Sequence, residues 1–349
     1  MDEDRQVLNM LRLFTLDPLH IGVGQDIMGE VDLPIDRENE TGVPRIPGTA
    51  LKGGFRAHAA WKLKMKGEKP KPCPGDQPAA QEQGGEEKTK VQRFREHYCG
   101  ITSCPICQTF GYPSINLNDK DGKNIPFSGH EGRVWFRDAR LAFFPALTNQ
   151  GTLWFSTPGR AAAWLDMKDV EYPELLTGSG NFALSVNQKE PIRDLRVGWI
   201  SISDIANSSG DEKVVDALRN STLQFPNKEY WQHIVSKTVL LDEKNFYRIV
   251  ETCLERRMCN RVDQETGTVA NGALFSYEAL PRASLLCSKI FAEKSFPQEK
   301  IGGFTSPLEV CNLAKEGFAR MGIGGMQTRG LGSLLIEELS GTEGGNGRI

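Results

Sequence analysis

The sequence predicts an α+β fold. Three observations carry this. Strand-like apolar runs stand both before and after helix-like segments, with no regular βαβ period. Glycine at 36 and proline at 19 demand many turns. Hydrophobic residues at 39% of 349 are enough for a packed core. That length suits one large domain with insertions, or two domains. The glycines follow no three-residue period, which excludes a collagen-like chain. No apolar run approaches membrane-spanning length. The start, MDEDRQ, has no signal-peptide core, so the expected location is cytoplasmic, with no membrane partner.

Along the chain, residues 9–16 (NMLRLFTL) read as the first strand, followed by the loop IGVGQDIMGE. PGTALKGGFRAHAAWKLKMK reads as a helix, with Thr49 as N-cap and Leu51, Phe55 and Ala59 on one face. Residues 67–90 hold no large aliphatic or aromatic residue and are expected to form a mobile surface insertion, extending to 95. RVWFRDARLAFFP and GTLWFSTP read as strands joined by a turn, after which Pro158 opens a short helix at its N1 position. LRVGWISIS reads as a further strand, and residues 211–219 and 229–255 as helices with a break near Asp242. SPLEVCNLAKEGFARMG carries the clearest helix signal: Ser306 caps it, Pro307 opens it and Gly322 ends it. GSLLIEEL reads as the last strand, within a domain spanning 1–338, and the tail 339–349 as disordered.

Net charge is −3, from 42 basic and 45 acidic residues, and says nothing globally for nucleic acid. Locally it does. Arg45, Lys52, Arg56, Lys62, Lys64 and Lys66 stand against the single acid Glu40 over residues 40–66, and Arg256, Arg257 and Arg261 form a second cluster. Such stripes can track a phosphate backbone, or be solvated helix faces. Lys52 and Arg56 repel one another at i,i+4 near a helix N-terminus that disfavours cations, and both costs vanish if an anion sits there. Residues 321–333 hold five glycines, Arg329 and no acid, which suits either an anion-cradling loop or a flexible turn.

The phosphate-binding GXXXXGK[ST], the three-glycine dinucleotide fingerprint, GXSXG and HEXXH are all absent. Cys99, Cys104 and Cys107 place three thiols within nine residues. That suits tetrahedral Zn²⁺ completed by His97, Cys73 or His58. An iron–sulfur cluster and plain reduced cysteines are the alternatives. His20, Asp26, Asp32 and Asp36 share what reads as one long loop. They are candidates for divalent-metal binding or proton transfer, against ordinary Asx turns.

Taken in order, these motifs resemble the RAMP superfamily, and most closely the backbone subunit of type III CRISPR effectors of the Cmr (III-B) form. The carrying residues are LHIGVGQ (19–25), VDLPIDRE (31–38), TGVPRIPGTALKGGFR (41–56), TFG (109–111), GRVWFRDARLAFFP (132–145), WFSTP (154–158), NRVDQETGTVANGALFSYEALP (260–281) and MQTRGLGSL (326–334). Asp36 stands where that form is expected to carry Gln, and the cysteine cluster looks more like the zinc sites of Csm-type backbones. The resemblance implies a modified ferredoxin-like (RRM-like) core with a protruding thumb at 257–277 and a zinc-binding segment at 97–107. It implies copies stacked along a CRISPR RNA beside other effector subunits, with thumbs that kink the guide–target duplex. Cleavage of target RNA is implied with Mg²⁺ or Mn²⁺, with Asp32 as the catalytic acid and His20 and Glu278 as contributors. The guide contacts map to Arg45, Lys52, Arg56, Arg256, Arg257, Arg261, Gly325 and Arg329. A non-catalytic RNA-binding subunit of the same kind of complex is the alternative.

Overall fold

The computed structural model describes residues 6–24, 31–66, 102–118, 124–127, 129–167, 183–186, 194–202, 212–260, 267, 274–297 and 300–339. The expected insertion at 67–95, together with Asp26, Cys73, His97, Cys99, Arg261 and the far part of the 257–277 segment, lies outside the described residues.

The chain opens with β1 (Gln6–Thr15), β2 (Arg45–Ile46), α1 (Gly48–Lys66) and α2 (Pro105–Phe110). A small hairpin, β3 (Ile115–Asn118) with β4 (Asn124–Phe127), precedes β5 (Val134–Phe136), β6 (Ala139–Thr148), β7 (Gly151–Ser156) and α3 (Pro158–Leu165). Then come β8 (Ala183–Ser185), β9 (Leu195–Val197), β10 (Ile200–Ile202), α4 (Glu212–Arg219), α5 (Lys228–Ser236), β11 (Thr238–Leu241) and α6 (Glu243–Cys253). A two-stranded ribbon, β12 (Glu255–Cys259) with β13 (Phe275–Ala279), is followed by β14 (Leu285–Glu293), α7 (Pro307–Asn312), α8 (Lys315–Arg320) and β15 (Leu334–Ile336).

The architecture is mixed α+β around one large, mostly antiparallel sheet. Its path runs β15–β1–β14–β6–β7–β11–β8, with only β11 parallel to its neighbour β7. Strand alternation divides two cores across it. Leu11 and Leu13 of β1, Leu286 and Ile290 of β14, and Leu141 and Phe144 of β6 face Leu51, Phe55 and Ala59 of α1, Phe246 of α6 and Phe318 of α8. Phe14, Leu285, Phe143 and Trp154 face the opposite way, onto Trp164 of α3 and Trp231 and Ile234 of α5. The stripe expected on α1 is the buried one. Gly54 there leaves room that Phe318 and Ile323 fill: a Cβ would lie 2.9 Å from the Phe318 ring.

Four local expectations change. The α1 N-terminus is capped by Asp138 and not by Thr49: Gly48 N–H donates to Asp138 Oδ1 at 2.9 Å. The helix has no acid in its own first turn, so this carboxylate from the β5–β6 turn meets the positive end of its dipole. LRVGWISIS is a hairpin, β9 and β10, turning at Gly198 with φ +58°. The expected break near Asp242 contains β11, four buried residues whose short apolar run carries no period that separates strand from helix. The 306–322 helix is two helices, broken where the Leu313 and Ala314 N–H groups donate to the i−3 carbonyls of Val310 and Cys311 at 3.2 and 3.0 Å; the Asn312 amide there bonds the Leu339 backbone at 2.8 and 3.0 Å. Ser306 caps its helix ahead of Pro307 and Pro158 opens α3, as expected, and Thr157 is the cap ahead of Pro158. Among the described residues no helix is long and apolar enough to cross a membrane.

Arg160 of α3 is a buried charge. Its side chain is 7% exposed and contacts Glu38 at 3.0 Å, Glu243 at 3.1 Å and the Leu141 carbonyl at 2.9 Å. Its guanidinium also lies over the Phe246 ring. Replacing it strands two carboxylates, one of them fully enclosed. Arg160→Met is expected to lower unfolding free energy by about 3–5 kcal/mol in urea denaturation, whereas Arg140→Met, whose side chain is half exposed, should change little.

Candidate nucleic-acid interface and carboxylate site

The site forms where three segments meet β13. The segment after β1 runs along the edge of β13 that β12 leaves open. Leu19 pairs with Leu280 through two hydrogen bonds of 2.8 Å. Further on, Leu33 pairs parallel with Tyr277: Leu33 N–H donates to the Ser276 carbonyl, and Glu278 N–H to the Leu33 carbonyl, each at 3.1 Å. Pro34 biases Leu33 to the extended backbone this pairing needs. The β13 side chains alternate. Phe275, Tyr277 and Ala279 pack with Leu33, Cys259, Met326 and Leu331. Ser276 and Glu278, on the other face, receive the polar groups.

Asp32 is partly exposed. Its Oδ2 accepts hydrogen bonds from Ser276 N–H at 2.7 Å and Ser276 Oγ at 2.8 Å, and its own N–H donates to Ser276 Oγ at 3.1 Å. Among the described residues Oδ1 accepts none. The Ser276 backbone hydrogen bond, then the hydroxyl, hold the carboxyl below the usual carboxylate range. The group is therefore an anion at any neutral pH, with one oxygen presented outward.

His20 is 5% exposed, and its Nδ1 lies 2.7 Å from the Glu278 carbonyl oxygen. That contact assigns the ring proton to Nδ1. The ring sits edge-on to Tyr277 and close against Gly22 and Gly325, where a Cβ would lie within 2.8 and 2.9 Å of it. Glu278 is 3% exposed, bonded to Arg37 at 3.0 Å through both oxygens and to Arg256 at 3.4 Å. Arg37 also reaches Glu251 at 2.7 Å. Asp36 is paired with Arg45 at 2.6 Å, and Arg45 in turn with Asp138 at 2.9 Å. Of the acids read from the sequence and described here, Glu278 and Asp36 are paired with arginine, whereas Asp32 has no ion-pair partner among the described residues.

The glycine-rich loop closes the third side. Gly325 N–H donates to the His20 carbonyl at 2.9 Å and Gly332 N–H to the Pro18 carbonyl at 2.8 Å. Gly324 takes φ +88°, and a Cβ there would lie 2.3 Å from the His20 oxygen. Arg329 is exposed, with its guanidinium 5.5 Å above the Phe275 ring centre.

The remaining cations separate into two groups. Arg56 donates to the Gly111 carbonyl at 2.7 Å and reaches Cys107 Sγ at 3.7 Å, tying α1 to α2. Arg45 is held by its two acids. Lys52 is half-buried; burial, then Arg56, lower the pKa of its ammonium. Arg256 and Arg257 are exposed on β12, each beside a glutamate, Glu251 and Glu255 respectively. Cys104 and Cys107 are both buried, and no cluster of three metal-ligating side chains occurs among the described residues. His58 is turned toward α8, with Nε2 2.7 Å from the Gly322 carbonyl.

Sequence reasoning missed Ser276, Arg37, Asp138 and Phe275. Alternation in FSYEA offered a signal, since period two puts Ser276 on the face of Glu278.

A sequence model described as the RAMP superfamily matches residues 12–335. The chain is 25% identical over 337 residues to the CRISPR system Cmr endoribonuclease Cmr4 of Pyrococcus furiosus, covering 94% of each. Two solved structures share the fold. One is the type III-B Cmr-beta complex bound to cognate target RNA, at TM-score 0.54 and 14% identity, covering 94% of this chain and 96% of that one. The other is oligomeric Cmr4 from Pyrococcus furiosus, at TM-score 0.53 and 18% identity, covering 96% and 99%.

The contact between the glycine-rich loop and His20 is testable by paired substitutions. Gly330 has φ +81° with open space around it, so Gly330→Ala should cost about 1–2 kcal/mol from backbone strain alone. Gly324→Ala adds a collision with the His20 carbonyl and should destabilise distinctly more in the same denaturant titration. Equal costs would contradict the contact.

Proposed function

Because the chain belongs to the RAMP superfamily, we propose that it is a CRISPR RNA-binding backbone subunit of a type III-B effector complex that cleaves guide-complementary target RNA. The observation that carries the reading is Asp32: an ionised carboxylate with one oxygen pinned and one open, held against Ser276 of the β12–β13 ribbon. The full-length relationship to a chain named an endoribonuclease supports it. The finer fold reading, a ferredoxin-like core, is supported by the order β15–β1–β14–β6, with α1 between β1 and β6 and the α7–α8 pair between β14 and β15. That is a βαββαβ path. The ribbon is read as the base of the thumb, and stacked copies along the guide as the working assembly.

RNA carries its own nucleophile, the 2′-OH beside the scissile phosphate. Cleavage then requires in-line alignment, charge neutralisation and proton transfer. Asp32 is the residue proposed to face that phosphate, taking the 2′-OH proton or holding a divalent cation. A single open carboxylate oxygen fits Mg²⁺ or Mn²⁺, which complete their shells with phosphate oxygens and water. Bound there, the cation would offset charge developing on the phosphate. His20 and Glu278 act through position: His20 joins the loop to β13 and the glycine-rich loop, and Glu278 anchors Arg37. The products expected are a 2′,3′-cyclic phosphate and a 5′-OH. Guide contacts are assigned to Lys52, whose burial penalty a phosphate would relieve, and to Arg329, Gly325, Arg256, Arg257 and Arg261. Arg45 and Arg56 serve the protein's own joints.

For Asp32→Asn we expect loss of single-turnover cleavage of a labelled complementary RNA by the reconstituted complex, with gel-shift affinity unchanged. Asn keeps the shape and loses the charge. Retained cleavage would move the chemistry elsewhere and favour the non-catalytic reading.

A structural Zn²⁺ held by Cys99, Cys104 and Cys107, with His97 as the fourth ligand, is also proposed. Arg56 beside Cys107 favours the thiolate form that zinc takes. Elemental analysis is expected to give nearly one zinc per chain, and less than about a tenth of an equivalent without chelator would remove the site.

A further inference from the structure

We propose that Ser276 is a positioning residue that fixes the direction of the Asp32 carboxylate for RNA cleavage. The inference rests on the reading of Asp32 given above.

The geometry is a closed reciprocal pair. Ser276 donates twice to one oxygen, Oδ2, from its N–H at 2.7 Å and its hydroxyl at 2.8 Å. The same hydroxyl oxygen accepts the Asp32 N–H at 3.1 Å. Two donors on one oxygen fix both torsions of the side chain and leave the second oxygen with its lone pairs open. A carboxylate held by a single bond could rotate and exchange its oxygens; this one is held against both.

The hydroxyl is dispensable for the loop itself. Leu19–Leu280 and Leu33–Tyr277 pair through backbone atoms. Arg37 on Glu278 adds an ion pair from the same segment to the same strand. None of these uses Ser276 Oγ. Removing the hydroxyl should therefore leave the loop on β13 through these contacts, while the Asp32 N–H loses its partner and the carboxylate keeps only the Ser276 N–H bond. The hydroxyl also belongs to the ribbon, so the carboxylate follows β13 and not merely its own segment. RNA that seats against the ribbon and the charge that meets its phosphate are then held by one strand.

The test uses the reconstituted complex with a labelled complementary RNA under single-turnover conditions. Ser276→Ala is expected to slow cleavage by about ten- to a hundredfold, the range for a misaligned reacting group, with gel-shift affinity and thermal midpoint unchanged. Ser276→Thr keeps a hydroxyl on Cβ and suits a strand, so it should restore the rate to within about threefold of the original. In the Asp32→Asn background, Ser276→Ala should add nothing. If Asp32→Asn cleaves normally, the underlying reading fails whatever Ser276 does. If Asp32→Asn is inactive and Ser276→Ala cleaves at the original rate, the positioning inference alone is overturned. Loss of affinity or of thermal stability in Ser276→Ala, without rescue by Thr, would make Ser276 structural and overturn it too.

Discussion

One edge of one strand organises the site. β13 has β12 on a single side, and its other edge presents N–H and C=O groups that need partners. The segment after β1 supplies them twice, at Leu19 and at Leu33. That pairing turns a long connection into an ordered extension of the ribbon, and it sets Asp32 beside Ser276. Glu278, buried on the same face, is ion-paired with Arg37, and Arg37 lies on the paired segment. The ion pair and the backbone pairing therefore support one another across the same junction. The opposite face of β13 is apolar and carries Met326 and Leu331 of the glycine-rich loop. Two segments distant in sequence, the one after β1 and the glycine-rich loop, are thus fixed to residues 275–280.

The same economy governs the charges. Much of the basic stripe at 40–66 is internal to the fold. Arg45 bridges Asp36 and Asp138, Arg56 ties α1 to α2, and Lys62 pairs with Glu316 of α8. Lys52 lies among them with two consequences of its position: partial burial and a cationic neighbour. On the function proposed above, the guide contacts fall to Lys52, the β12 arginines and Arg329 over Phe275. A near-zero net charge does not exclude such a local basic strip.

Much of this was legible in the sequence. Leu51, Phe55 and Ala59 gave the buried stripe of α1, and Pro158 and the Ser306–Pro307 pair gave two helix starts, because a local rule governs each. Asp32 was legible as a loop acid, but not its distinction from Asp36 and Glu278. That distinction comes from Arg45, Arg37 and Ser276, which stand 9, 241 and 244 residues from their partners. Long-range pairing leaves no periodic trace in one sequence. β11 was missed for a related reason: four apolar residues become a strand through parallel pairing with β7, not through any pattern of their own. The Asp138 cap shows the same limit, since it lies 90 residues from the helix it serves.

The dependence of the whole site on the β13 edge is open to direct measurement by amide hydrogen exchange of the full chain. The account predicts that a peptide spanning residues 31–38 is protected to the same degree as one spanning β13, through the Leu33 and Glu278 amides. It also predicts that Glu278→Ala accelerates exchange in both peptides together, because Arg37 and Ile35 lose their shared partner. Exchange of the 31–38 peptide at the rate of a free loop in the unaltered chain, or acceleration of β13 alone in the variant, would contradict it.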